Sequence, residues 1–251
     1  MARKPFSSKS GKAAKLAAKH ADFSVQADGL LKRLDPEGVR KAQWPRPFII
    51  ELFGTPKAGK TTIKEILKRF FKRSGWSVST PTEGAEVVEW SKRREPDYNF
   101  QTMEYALSAA RDRIDDKRFH LVILDRGLCD GLARMELYRT AGKISAAEHA
   151  AIEGYLLIPQ NRDMFDIHIC MVADPETAIR RELAGSLIKT HGETMNPQTL
   201  QDLLEAHQRL WKRLKLDRDR KMFWHDSSAE DEQETATVIL EAVLAAFERR
   251  K

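Results

Sequence analysis

The chain has 251 residues, 43 Lys and Arg against 37 Asp and Glu for a formal net charge of +6, and two cysteines. That length suits one large α/β domain with an appendage and can bury a core without staples. Cys129 and Cys170 lack metal-ligand spacing and the seven histidines form no H-x-x-x-H pair, which argues against a structural metal and for a reducing, cytoplasmic setting. The longest apolar runs have strand length, far below the roughly 20 residues of a membrane span, so no segment is expected to cross a bilayer.

Residues 1–45 read as a basic N-terminal arm, partly flexible or helical, with a helical stretch around Lys12 to His20. Eleven Lys and Arg against four acids fall in residues 1–47, so the arm carries the positive charge of the chain. Such an arm is either solvated or a contact for nucleic acid or an acidic partner. Trp44-Pro45-Arg46-Pro47 cannot continue a helix, which starts the main domain at residue 46 and extends it to 251. Phe48 to Phe53 then predicts a buried strand ending at Gly54. Apolar residues Ile63, Ile66, Leu67 and Phe70 give Thr61 to Arg73 a helical period. Trp76 to Thr80 is a short second strand, Tyr98 to Asp116 a helix, and His120 to Leu124 a third strand ending at Asp125. Asp166 to Val172 is a fourth strand, with a helix from Pro175; Lys221 to His225 is a weaker fifth before a closing helix from about Glu232 to Arg250. Such alternation predicts an α/β, three-layer fold with a five-stranded, mostly parallel sheet and ligands at the carboxyl ends of its strands.

Gly54-Thr55-Pro56-Lys57-Ala58-Gly59-Lys60-Thr61 matches the P-loop pattern G-x-x-x-x-G-K-[ST] in full, between a strand and a helix. Glycines let consecutive N–H groups face a phosphate, Lys60 bridges β- and γ-oxygens, and the Thr61 hydroxyl is a ligand for Mg²⁺. Thr62 completes the nucleotide-binding set, at a helix end whose dipole favours anions. The cofactor expectation is therefore ATP or GTP with Mg²⁺. Asp125, ending an apolar strand, is the second metal-site candidate or the group that activates an acceptor hydroxyl. Arg126 offers a permanently charged fork beside it.

These residues resemble the nucleoside kinase and thymidylate kinase group of P-loop proteins over most of 48–250. Beyond the phosphate loop, Tyr98-Asn99-Phe100-Gln101-Thr102 is similar to the Phe-Gln-Thr stretch with which deoxynucleoside kinases hold the base. Asp125-Arg126 resembles their Asp/Glu-Arg-Ser or Asp-Arg-Tyr motif. Val172 to Arg181 looks like the strand-turn-helix leading into the lid of both families. The resemblance implies a helical lid, catalytic roles for Lys60, Asp125, Arg126, Arg180 and Arg181, and acceptor contacts from Glu83, Phe100, Gln101 and Arg111. Glu83 enters because Thr82-Glu83-Gly84 is reminiscent of the Arg-Glu-Pro-Gly segment of thymidylate kinases, and Lys57 matches a basic loop position of some of them. Arg93 and Arg94 are candidate contacts for an acceptor's phosphate. The sequence departs from both families at Phe53, where they carry an acid that is here two residues earlier as Glu51, and at Gly127 and Ser108. Lys189 and His191 lie in a lid region without a dense Arg repeat.

Transfer of phosphate from a nucleoside triphosphate to a small acceptor, a nucleoside or nucleoside monophosphate, is the expected activity. The alternative is a nucleotide-switched regulatory NTPase whose basic arm binds nucleic acid or a protein. Oligomeric state is left open, a homodimer included.

Overall fold

The computed structural model describes residues 45–88, 95–185 and 195–250. The basic arm, Arg93 and Arg94, and Lys189 and His191 lie outside the described residues. Five strands form one sheet: β1 (Phe48–Gly54), β2 (Val78–Ser79), β3 (Leu121–Asp125), β4 (Ile167–Val172) and β5 (Met222–Asp226). Their spatial order is β2-β3-β1-β4-β5 and every pairing is parallel. β1 is central and all seven of its residues are buried, which its unbroken apolar run leads one to expect of a strand covered on both faces.

The side chains of β1 alternate between two helical layers. Phe48 points toward α1 (Lys60–Arg73) and the last helix, α9 (Glu232–Arg250), where Phe48, Phe71, Trp76 and Phe247 make one aromatic cluster. Ile49 and Phe53 belong to the opposite core, with Leu107, Leu132 and Leu210. Those three come from α3 (Pro96–Ile114), α4 (Leu128–Thr140) and α8 (Pro197–Arg213). Shorter pieces among the described residues include α2 (Gly84–Val87), α5 (Ala146–Leu156), α6 (Pro159–Arg162) and α7 (Pro175–Gly185).

The strand expected over Trp76 to Thr80 contracts to Val78–Ser79. Trp76 turns inward and stacks on Phe247 with ring centroids 5.3 Å apart, a packing gain that a sheet-edge position could not provide. The Ser77 carbonyl accepts from His120 and Leu121 N–H, so ladder pairing starts only after the tryptophan. Parallel order with β1 flanked by β3 and β4 opens a crevice at their carboxyl ends, where chain direction diverges.

Candidate active site

The phosphate loop follows β1 and is tied down by backbone contacts. Gly54 has φ of +128°, and a Cβ there would lie 1.9 Å from the Met171 carbonyl oxygen of β4, so no other residue fits. Thr55 N–H donates to that carbonyl at 3.1 Å and its hydroxyl accepts from Ala173 N–H at 2.8 Å. Beyond β5, the Ser227 hydroxyl donates to the Ala58 carbonyl at 3.0 Å. Gly59 caps α1 in a left-handed conformation without any side-chain cap. The first-turn N–H groups of that helix are thereby left for an anion.

Lys60 is buried and folds back onto the loop, donating to the carbonyls of Thr55 at 2.6 Å and Gly54 at 3.1 Å. Burial, followed by the charge of Arg126, lowers its pKa to about 8. The Thr61 hydroxyl donates to Asp125 Oδ2 at 2.8 Å. That bond uses the hydroxyl proton and leaves oxygen lone pairs for a cation. A hydroxyl and a carboxylate form a hard oxygen donor set, suited to Mg²⁺, which keeps several waters and needs few protein ligands. The residues therefore fit the metal that a nucleoside triphosphate brings.

Arg126 takes a left-handed φ of +71° directly after β3. Its guanidinium bonds Glu83 and both oxygens of Asp130 at 3.2 Å. Burial opposes its charge, but Asp130, Glu83 and Asp125 outweigh that and hold its pKa above the ordinary value. Burial likewise pushes the Asp130 carboxyl up, and Arg126 and Arg134 overcome it, so Asp130 stays well below the usual carboxylate range. From α7, Arg181 bonds the Lys57 carbonyl and the Ser227 hydroxyl, each at 3.0 Å, and the Ser227 carbonyl at 2.6 Å. Lys57, itself left-handed, pairs with Glu182.

Lys60, Thr61, Asp125, Arg126, Glu83, Arg181 and Ser227 line a cleft of about 730 Å³, within the range of cofactor sites. Pro56, Lys57, Ala58, Gly59, Lys60, Thr61 and Thr62 come together there with Glu83, Asp125, Arg126 and Arg181. Gly54 and Thr55 lie behind them as supports. Arg180 is exposed, bonds Thr177 at 3.2 Å and stands away from the cleft. Adjacent helical residues point about 100° apart, so one arginine of the pair reaches inward and the other does not.

The acceptor-side candidates are dispersed. Gln101 is exposed, Phe100 packs against the core, and Arg111 bonds Asn161 near α6. Between α2, α3 and α4 the cavity beside Arg126, Asp130 and Arg134 measures about 10 Å³, room for one water at most. Met103 lines it, with Sδ 2.5 Å from where a Cβ on Gly131 would stand.

Glu51 accounts for two of the departures seen in the sequence. Fully buried, it accepts from the N–H groups of Cys129 at 2.8 Å and Asp130 at 3.2 Å, capping α4, and meets His168 Nδ1 at 2.6 Å. A Cβ on Gly127 would come within 3.1 Å of its carboxyl carbon. Serine is therefore disfavoured after Asp125-Arg126 because the Glu51 carboxylate occupies that space. The acid is turned to holding the helix that carries Asp130. Its neighbours Cys129 and His168 are the candidate metal ligands grouped with it, but hydrogen bonds to protein donors already engage both Glu51 oxygens.

Sequence reading missed Asp130, Lys64, Glu182 and Ser227. Asp130 stands four residues after Arg126, a spacing that pairs charges on a helix, and was within reach. Ser227 carries no local signal, because its partners are far away in sequence.

The fold is that of the P-loop nucleoside and nucleotide kinases. Deoxyadenosine kinase from M. mycoides with bound dCTP superposes with a TM-score of 0.55 at 21% identity, covering 79% of this chain and 100% of that one. With bound dATP the values are 0.54 and 20%, over 78% and 98%. Thymidylate kinase from Candida albicans gives 0.56 at 13% identity, over 82% and 94%. No protein-family model matches the sequence, and no curated protein does.

Proposed function

We propose that this protein transfers the γ-phosphoryl group of ATP, or GTP, to a small acceptor, a nucleoside or nucleoside monophosphate. The observation that carries the reading is the Thr61–Asp125 pair beside Lys60 in a cleft that also holds Arg126 and Arg181. The triphosphate lies along the N–H groups of residues 57–62 at the start of α1, and Lys60 leaves its carbonyl partners for the phosphate. Thr61 and Asp125 would hold Mg²⁺, which when bound would neutralise charge on the triphosphate. Phosphoryl transfer asks mainly for such positioning and positive charge. Asp125 Oδ2 already accepts from Thr61 and Lys64, which favours a metal-holding role over that of a base. Glu83, fixed on the cleft wall by Arg126, takes the acceptor-side contact, with Phe100, Gln101 and Arg111 further out. Residues 46–251 form the catalytic domain in this reading and residues 1–45 a separate arm, in a cytoplasmic protein.

A second reading, a regulatory NTPase whose arm binds nucleic acid or a protein, is favoured by one observation: the cavity next to Asp130 measures only about 10 Å³. Both are tested by transfer of γ-labelled phosphate to nucleosides, nucleoside monophosphates and oligonucleotides, beside a sample without acceptor. A labelled nucleoside or monophosphate supports the kinase. Free phosphate alone, indifferent to acceptor, supports the NTPase.

A further inference from the structure

The phosphate-loop helix brings a second lysine to the site. Lys64, one helical turn beyond Lys60, places its ammonium 3.2 Å from Asp125 Oδ2, the oxygen that also accepts from Thr61. The Lys64 side chain is 10% exposed and does not line the cleft, so it acts on the cleft through Asp125. Thr61 and Lys64 both bond Oδ2, and Oδ1 is the oxygen with which the carboxylate would face the cation.

We infer that Lys64 is a positioning residue that shares Asp125 with the divalent cation of the nucleotide and thereby raises the cation concentration the site requires. The inference rests on the nucleotide-binding part of the proposed function. A tethered positive charge on one oxygen of the carboxylate opposes a second cation near the other, and salt screens a buried pair poorly. A lysine with a packing role alone would alter stability and leave the metal requirement where it was.

The test is calorimetric titration of ADP into the full-length protein across a Mg²⁺ series and in EDTA, for wild type, Lys64→Met and Lys64→Arg. Lys64→Met is expected to lower the half-saturating Mg²⁺ concentration by about tenfold, equivalent to about 1.4 kcal/mol. Its affinity for ADP in EDTA should stay close to wild type. Lys64→Arg, which keeps the charge, should keep the wild-type requirement. An unchanged requirement in Lys64→Met, or an equal shift with and without Mg²⁺, overturns the inference. If Lys64→Met does not fold, Lys64→Gln takes its place: a lowered Mg²⁺ requirement supports the inference and an unchanged one overturns it. Absence of ADP binding by wild type at every Mg²⁺ concentration overturns the nucleotide reading itself, a result separable from the other two.

Discussion

Around Lys60 the cleft is shaped by backbone: two glycines at positive φ, carbonyls that hold the lysine, and N–H groups at the start of α1. Around Asp130 the surface is shaped by side chains, with Arg126, Arg134 and Glu83 neutralising one another and Met103 lining the space between helices. The cleft around Lys60 is open, at about 730 Å³, and the cavity beside Asp130 is nearly closed, at about 10 Å³. Backbone geometry of the first kind is demanded by any triphosphate, whereas side chains of the second kind can be exchanged to suit a particular acceptor. The glycine loop accordingly keeps the pattern of the resembled families in full, and the departures at Phe53, Gly127 and Ser108 lie outside it.

The largest expected effect falls on the donor side. Lys60→Ala should reduce turnover by about 100- to 1000-fold, the scale of losing one preorganised charge donor, with the fold intact; steady-state rates and circular dichroism check both parts. Glu51→Ala should destabilise the fold by about 3 kcal/mol, because it strips the partner from two buried N–H groups and a histidine. Denaturant unfolding measures this, and a drop confined to turnover would contradict the capping role.

Lys60 gives a pH signature. Its pKa in the free protein, lowered to about 8 by burial and then by Arg126, rises when phosphate binds, because an anion favours the ammonium form. Binding then takes up a proton, and metal-free ADP affinity should weaken by about tenfold per unit as pH rises beyond 8. The unliganded fold should respond in the opposite sense, gaining stability between pH 8 and 10.5, where the unfolded lysine holds more protons than the folded one. Calorimetry from pH 7 to 9.5 and urea melts across the same range separate the two. Smallest is Gln101→Ala, whose nucleotide affinity should stay within about twofold of wild type, as usual for an exposed position, while the acceptor KM rises. No change in either quantity would remove Gln101 from the acceptor side.

Elements carrying a strong local pattern were legible in the sequence. The closing helix was expected from about Glu232 to Arg250 and spans Glu232–Arg250, and the order of strand, glycine loop and helix at residues 48–73 is as read. Trp76 was misassigned to a strand because its local pattern fits a sheet as well as a core, and only Phe247, far away in sequence, decides between them. The site was legible where one short segment supplies it, as in the phosphate loop. It was not legible where partners converge from distant segments: Glu51 with Cys129, Asp125 with Lys64, Arg181 with Ser227. A lone buried carboxylate such as Glu51 is costly and calls for a partner, but a strand pattern does not say which helix supplies it.

The central place of β1 has a consequence for biogenesis. Its neighbours β3 and β4 and the anchors of its loop, Met171, Ala173 and Ser227, are all made later than the phosphate loop itself. A ribosome releasing this chain exposes the glycine loop long before the residues that shape it. Nucleotide therefore cannot serve as an early folding template, and nascent chains ending before residue 227 should leave the cleft unfinished however complete their first three strands are.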